Sequence, residues 1–166
     1  LAGPLLTWAP KLAARYELAP WGILVRVAPP GSGAPFPLPP QRPRLVEYGV
    51  GVNLQGYGWV DLGDGRRQLW LDWQTVAPIP RDLSLSLRLH GPDGTQFFQK
   101  DGRLASLWYP EGALPAGLRF ASVFDFTLPP DLPPGSEARL VLYEPTTLAP
   151  WLTHDGQDVV SLGLVE

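Results

Sequence analysis

The chain contains no cysteine and no methionine. Without thiols, disulfides, thiolate nucleophiles and cysteine-ligated metals are excluded, and cysteine usage leaves no trace of a redox compartment. Without methionine there is no start residue, so the expectation is a piece of a longer chain or a processed one. Lysine is scarce, 2 residues against 11 arginines, and there is 1 asparagine. Such usage fits a thermophilic source and equally a GC-rich genome. Charge is sparse too: 17% of residues are charged and the net charge is -3. No basic stripe exists, which removes nucleic acid from the expected partners. No run of about 18 apolar residues is present to span a bilayer, and the N-terminus lacks the basic region of a signal peptide. For a piece of a longer chain, neither absence describes the parent.

What the sequence does hold is proline and glycine, 21 and 18 residues among 166. They punctuate short segments rich in Leu, Val, Trp and Phe, which is the pattern of strands and turns. Residues 1–43 read as an N-terminal extension. In it, "APKLAARYEL" (Ala9 to Leu18) is expected as a short helix with Pro10 in its first turn and Pro20 beyond its end, and "WGILVRV" (Trp21 to Val27) as one strand. The Pro-rich "APPGSGAPFPLPPQRP" (Ala28 to Pro43) then reads as an extended connector.

From Arg44 onward, strand follows turn follows strand. "LSLSLRLH" alternates with period two, turning Leu83, Leu85, Leu87 and Leu89 one way and Ser84, Ser86, Arg88 and His90 the other. "GPDG" (Gly91 to Gly94) is a turn by its residue chemistry, with "TQFFQKD" as the return strand. "LPPDLPPG" (Leu128 to Gly135) is a rigid link, because each proline removes a donor that a central strand needs. Roughly eight or nine such strands without a long helical pattern predict an all-β fold over 44–166, an antiparallel sandwich of immunoglobulin-like or jelly-roll-like type.

In "QLWLDWQ" the same alternation sends Leu69, Leu71 and Trp73 to the core. It leaves Trp70, Asp72 and Gln74 on the opposite face. A tryptophan beside a carboxylate and an amide suits a sugar, which offers an apolar C–H face and a hydroxyl rim. Trp108 and Tyr109, in the long loop "SLWYPEGALPAG", form a second aromatic pair, placed where loops usually carry binding residues. The plainer reading buries Trp70 under residues 1–43 and folds Trp108 back onto the open end of the sandwich.

Catalytic signatures are missing. His90 and His154 have no metal-ligand spacing, and His154, Asp155 and Asp158, like Asp61 and Asp64, read as turns rather than cation loops. No G-x-S-x-G occurs, and "GSG" (Gly31 to Gly33) precedes no helix that would cradle phosphate. No catalytic residue, no metal site and no cofactor is expected.

The pieces "LWLDWQTVAPIPRDLSLSLRLHGPDG", "WYPEGALPAG", "FTLPPDLPPGSEARLVLYEPTT" and "DGQDVVSLGLVE" occur in an order that resembles a known module. It is the C-terminal extracytoplasmic β-sandwich of multispanning bacterial glycosyltransferases, enzymes similar to dolichyl-phosphate-mannose mannosyltransferases and aminoarabinose transferases. The chain departs from that pattern at Arg88 and at Ala138, where an aromatic is usual. The resemblance implies a non-catalytic accessory module, tethered outside the cytoplasm through a parent membrane domain. Its implied role is to bind a glycan or a lipid-linked sugar acceptor, with residues 1–43 as a juxtamembrane connection. The acidic catalytic residues of such enzymes belong to parts absent here. The alternative is a structural or protein-interaction sandwich of a cell-surface protein, without sugar binding.

Overall fold

Strict alternation over seven residues makes one face of a strand apolar and the other polar, and the polar-free face must be covered. In the computed structural model, which describes residues 15–18, 23–28, 42–80, 82–105 and 113–165, that covering is a second sheet. The strands are β1 (Arg15–Leu18), β2 (Ile23–Ala28), β3 (Arg42–Tyr48), β4 (Val52–Gly63), β5 (Arg66–Thr75) and β6 (Ile79–Pro80). They continue with β7 (Ser84–His90), β8 (Gln96–Arg103), β9 (Ala113–Leu114), β10 (Arg119–Thr127), β11 (Glu137–Tyr143) and β12 (Val160–Leu164). One sheet runs β1-β2-β10-β5-β4-β3 and the other β12-β11-β7-β8, with β6 and β9 as a short separate ladder. All pairings are antiparallel, and no helix occurs among the described residues. The fold is an all-β sandwich.

The core is the meeting of two apolar faces. From the four-stranded sheet come Leu85, Leu87 and Leu89, in register with Leu142, Leu140 and Ala138 of β11, all fully buried. From the larger sheet come Leu69, Leu71 and Trp73 of β5. Phe124 and Phe120 of β10 pair with Leu69 and Trp73, and Leu54 and Tyr57 of β4 pair with Trp73 and Leu71. Trp73 packs against Tyr48 with ring centroids 6.0 Å apart. Every residue that the alternation sent inward is in this one cluster.

The turns follow from residue chemistry. The β4–β5 hairpin turns on Asp64 and Gly65, both with positive φ (51° and 73°), the Asp-Gly pair that a right-twisted two-residue hairpin prefers. Asp61 accepts from the Gly63 amide and pairs with Arg67, so this acidic stretch is spent on the turn. The "GPDG" turn closes β7 onto β8, with Gly94 N donating to Gly91 O.

Two expectations are corrected. Arg15–Leu18 is a strand, not the end of a helix, and the rest of that expected helix lies outside the described residues. A ten-residue segment is too short for a self-supporting helix, and β2 offers an edge on which backbone groups are satisfied at once. The boundary at residue 43 does not set an extension apart from the sandwich. β2 pairs with β10 over six registered positions, so the first strands complete the larger sheet, and β3 already starts at Arg42. The connector at 29–41 lies outside the described residues.

Candidate functional site

Gln74, Asp72 and Trp70 share the outward face of the larger sheet, as alternation requires. That face is closed there. Trp70 is 8% exposed, packed on Ala121, Val123 and Val60, and its indole N–H donates to Gln68 Oε1 at 3.2 Å. Asp72 is 1% exposed, and both its oxygens receive the Arg119 guanidinium, at 3.1 Å from Nε and 2.6 Å from Nη2. This fork ties β5 to β10, and the Asp72 bond holds the Arg119 guanidinium pKa above its usual value. Gln74 is half-buried. The row therefore offers neither a free ring face nor an unengaged carboxylate. Trp108 and Tyr109 lie outside the described residues. The loop that carries them returns at a fixed point, where buried Thr75 donates to Pro115 O (2.6 Å) and accepts from Leu118 N (2.8 Å).

One hollow formed by described residues was not foreseen. β3 is the last strand of one sheet and β12 the last of the other, and the segment after β11 crosses between them. His154 N donates to Glu47 O (2.7 Å), Gly49 N donates to Leu152 O (3.1 Å), and Tyr48 bridges Thr153. The "THDGQ" turn is rigid. Thr153 N donates to Gln157 O at 2.8 Å, Gln157 N donates to Thr153 Oγ1 at 2.9 Å, and Asp155 accepts from the Thr153 hydroxyl and from Gln157 Nε2. Gly156 takes the left-handed conformation that the turn requires (φ 84°).

This strap and the outer edge of β3 enclose a cleft of about 520 Å³. Leu45, Val46 and Val160 supply its apolar lining, and Arg44, Glu47, His154, Asp155 and Gln157 its polar lining. The side chains of Arg44, Glu47 and His154 have no hydrogen bond or ion pair among the described residues. Cationic donor, anionic acceptor and imidazole therefore stand around one cleft, with Glu47 held by pairing to Asn53 and Arg44 in the irregular stretch of β3. Such a set binds hydroxyls, which both donate and accept. No group of three or more metal-ligating side chains with suitable geometry exists among the described residues.

A smaller hollow of about 230 Å³ lies on the outward face of the four-stranded sheet, lined by Ser84, Asp101, Gly102, Arg103 and Tyr143. Burial raises the Tyr143 phenol pKa, and the Asp101 carboxylate adds to that rise.

Sequence reasoning placed the 153–157 turn correctly but had no means of seeing β3 beside it. Alternation reports which face a residue takes, and says nothing about which distant strand closes that face.

No protein-family model matches the chain, and no curated protein matches it. Four chains of solved structures match. One is the C-terminal domain of wzt, 18% identical, covering 78% of this chain and 83% of that one, with a TM-score of 0.46.

Proposed function

We propose that this sandwich is a non-catalytic accessory module that binds a glycan or sugar acceptor in the cleft between β3 and the 153–157 strap. The observation that carries the reading is the cleft's mixed and unengaged polar lining: Arg44, Glu47 and His154 beside Leu45 and Val46. Its volume lies within the usual range for small-ligand sites. The sequence resemblance supplies the setting, which is the extracytoplasmic side of a membrane glycosyltransferase-like protein. A sugar acceptor bound there would be held near the parent's membrane-embedded chemistry.

The second reading, a protein-docking sandwich, is favoured by two exposed leucines, Leu45 at 63% and Leu152 at 48%, at the same seam. A glycan array on the purified chain separates the two. The expected outcome is retention of a defined set of oligosaccharides, lost in Arg44→Ala and Glu47→Gln and kept in Trp108→Ala. Loss only in Trp108→Ala would move the site to the Tyr-Pro loop. An array with no retained glycan would favour docking through the leucines.

A further inference from the structure

The hollow on the outward face of the four-stranded sheet follows from strand register and side-chain size. On β7, inward Leu85 and Leu87 leave Ser84 and Ser86 on the outward face. Ser84 is registered against Arg103 on β8 and against Tyr143 on β11, so the three form one row across three strands. The smallest of them is in the middle. Neighbouring strands lie about 4.8 Å apart, so Arg103 and Tyr143 rise from backbones roughly 10 Å apart with only a buried serine between them. Asp101 stands two residues before Arg103 on the same face of β8, registered against Ser86, again a small residue. The hollow of about 230 Å³ lies over this dip.

Its lining is chemically mixed. Tyr143, half-buried, supplies one aromatic wall. Arg103 has no hydrogen bond or ion pair among the described residues, so its donors are open to a ligand. Asp101 accepts from the Gln99 amide at 3.2 and 3.0 Å, which orients the carboxylate and leaves lone pairs on both oxygens. The rise that burial and then the Asp101 charge give the Tyr143 phenol pKa puts carboxylate and phenol within electrostatic reach of each other. One guanidinium and one carboxylate cancel, which selects the ligand class. An anion is repelled by Asp101, and a cation by Arg103. A neutral ring with adjacent hydroxyls avoids both, since one hydroxyl donates to Asp101 while the next accepts from Arg103.

We propose that this hollow is a second ligand site, which holds a single uncharged sugar ring against Tyr143 and between Arg103 and Asp101. The apolar C–H face of such a ring covers the aromatic wall, and its hydroxyl rim meets the two charged groups. The volume sets the size of the ligand. It falls below the roughly 300–1,000 Å³ of sites for drug-sized ligands, so the hollow takes one ring rather than a chain of them. The site shares no lining residue with the seam cleft and does not rest on the reading given to that cleft.

The test is a titration of the isotope-labelled chain with methyl glucoside and methyl mannoside and, separately, with glucuronate and glucosamine. Nuclear magnetic resonance shifts of the Gly102 and Arg103 amides and of the Arg103 Nε–H are the readout. A ligand of about a dozen heavy atoms held by few contacts binds at about 1 mM. Saturable shifts with at least one neutral glycoside are expected, weakened about tenfold in Arg103→Ala and in Asp101→Asn. Both changes lie on the edge strand β8, away from the core. Tyr143→Leu, which removes the ring, should weaken binding as well, and Arg44→Ala should leave it unchanged. Shifts lost in Arg44→Ala would put the sugar in the seam and overturn the proposal. An array that retains no glycan would defeat the seam reading without touching this one. A charged sugar that binds more tightly than both glycosides would show one charge ruling the site, and overturns the proposal. No saturable response to either glycoside, or unchanged binding in both β8 variants, also overturns it.

Discussion

The two sheets treat their outward faces in opposite ways. On the larger sheet, Trp70 is packed on Val60, Ala121 and Val123, and Asp72 is forked by Arg119, so the polar residues there are used up internally. On the smaller sheet, Arg103 and Asp101 line a hollow, and among the described residues no ion pair closes one onto the other. The same period-two pattern wrote both faces. What separates them is whether each polar group found a partner within the chain. A satisfied polar group is structure, and an unsatisfied accessible one is available to a ligand.

That contrast is sharpest on β5, where two tryptophans face opposite ways. Trp73 is fully buried between the sheets, and Trp73→Ala should cost about 3–5 kcal/mol, the range for a deleted core aromatic. Trp70 sits in a thinner layer, and Trp70→Ala should cost less, roughly 2–3 kcal/mol. Both are read by denaturant unfolding. An unchanged midpoint in Trp70→Ala would mean that the ring is uncovered in solution, and the sugar-platform reading of Trp70 would return.

Arg119→Ala comes next. It leaves the Asp72 carboxylate buried with its principal counter-charge gone, while Arg119 itself is partly in water, its side chain 47% exposed. Loss of a partner to a fully buried pair costs about 3–5 kcal/mol, and half-exposure of the arginine brings the expectation to roughly 2 kcal/mol. Arg119→Lys should recover only part of this, since an ammonium cannot reproduce the two-point fork. Full recovery would reduce Arg119 to a generic surface charge and blur the difference between the faces.

The fold was legible because burial needs a periodic signal, and the leucines of β7 provide it without interruption. Turns were legible where one residue type satisfies a conformational demand, as at Asp64-Gly65 and Gly94. Long-range pairing was not. Nothing in "ILVRVA" says that β10 will be its neighbour, and nothing in "RLVEY" says that "THDGQ" will cross beside it. The seam cleft is made of that juxtaposition, so no local motif announces it. Trp70 was placed on the right face, but its packing on Val60, Ala121 and Val123 of neighbouring strands is something alternation within β5 cannot report.

Tyr48 gives a smaller effect of opposite sign. Its hydroxyl is buried beside Trp73 without a hydrogen-bond partner, a group desolvated on folding with nothing in return. Tyr48→Phe should therefore stabilise the sandwich by about 1 kcal/mol. Burial raises the phenol pKa well above its ordinary 10.0, with Arg44 opposing weakly. The folded state then holds a proton that the unfolded chain releases. The parent's stability from this group is present below pH 10 and falls as pH rises beyond it, and Tyr48→Phe should remove that alkaline decline. A destabilised Tyr48→Phe would show that the hydroxyl is hydrogen-bonded in solution.

The smallest expected effect is on the surface, at the turn after β11, and it tests whether an exposed carboxylate can also be fully used. Glu144 accepts from the backbone amides of Thr146 (3.0 Å) and Thr147 (2.5 Å). Its own carbonyl takes the amide of Leu148, which sits at positive φ (60°) and is held there by the turn. The Thr147 hydroxyl and these two amides pull the carboxyl pKa from 4.5 down to about 2. A depressed acid stabilises the fold at pH values above its unfolded pKa and loses that contribution as pH falls through the folded one. The difference in midpoint between the parent and Glu144→Gln should therefore be constant above about pH 4.5 and shrink steadily toward pH 2. Thermal unfolding followed across that range reads it directly. A difference that stays constant down to pH 2 would mean that the protonated carboxyl caps the turn as well as the carboxylate does. The charge would then be unengaged, in contrast to that of Asp72.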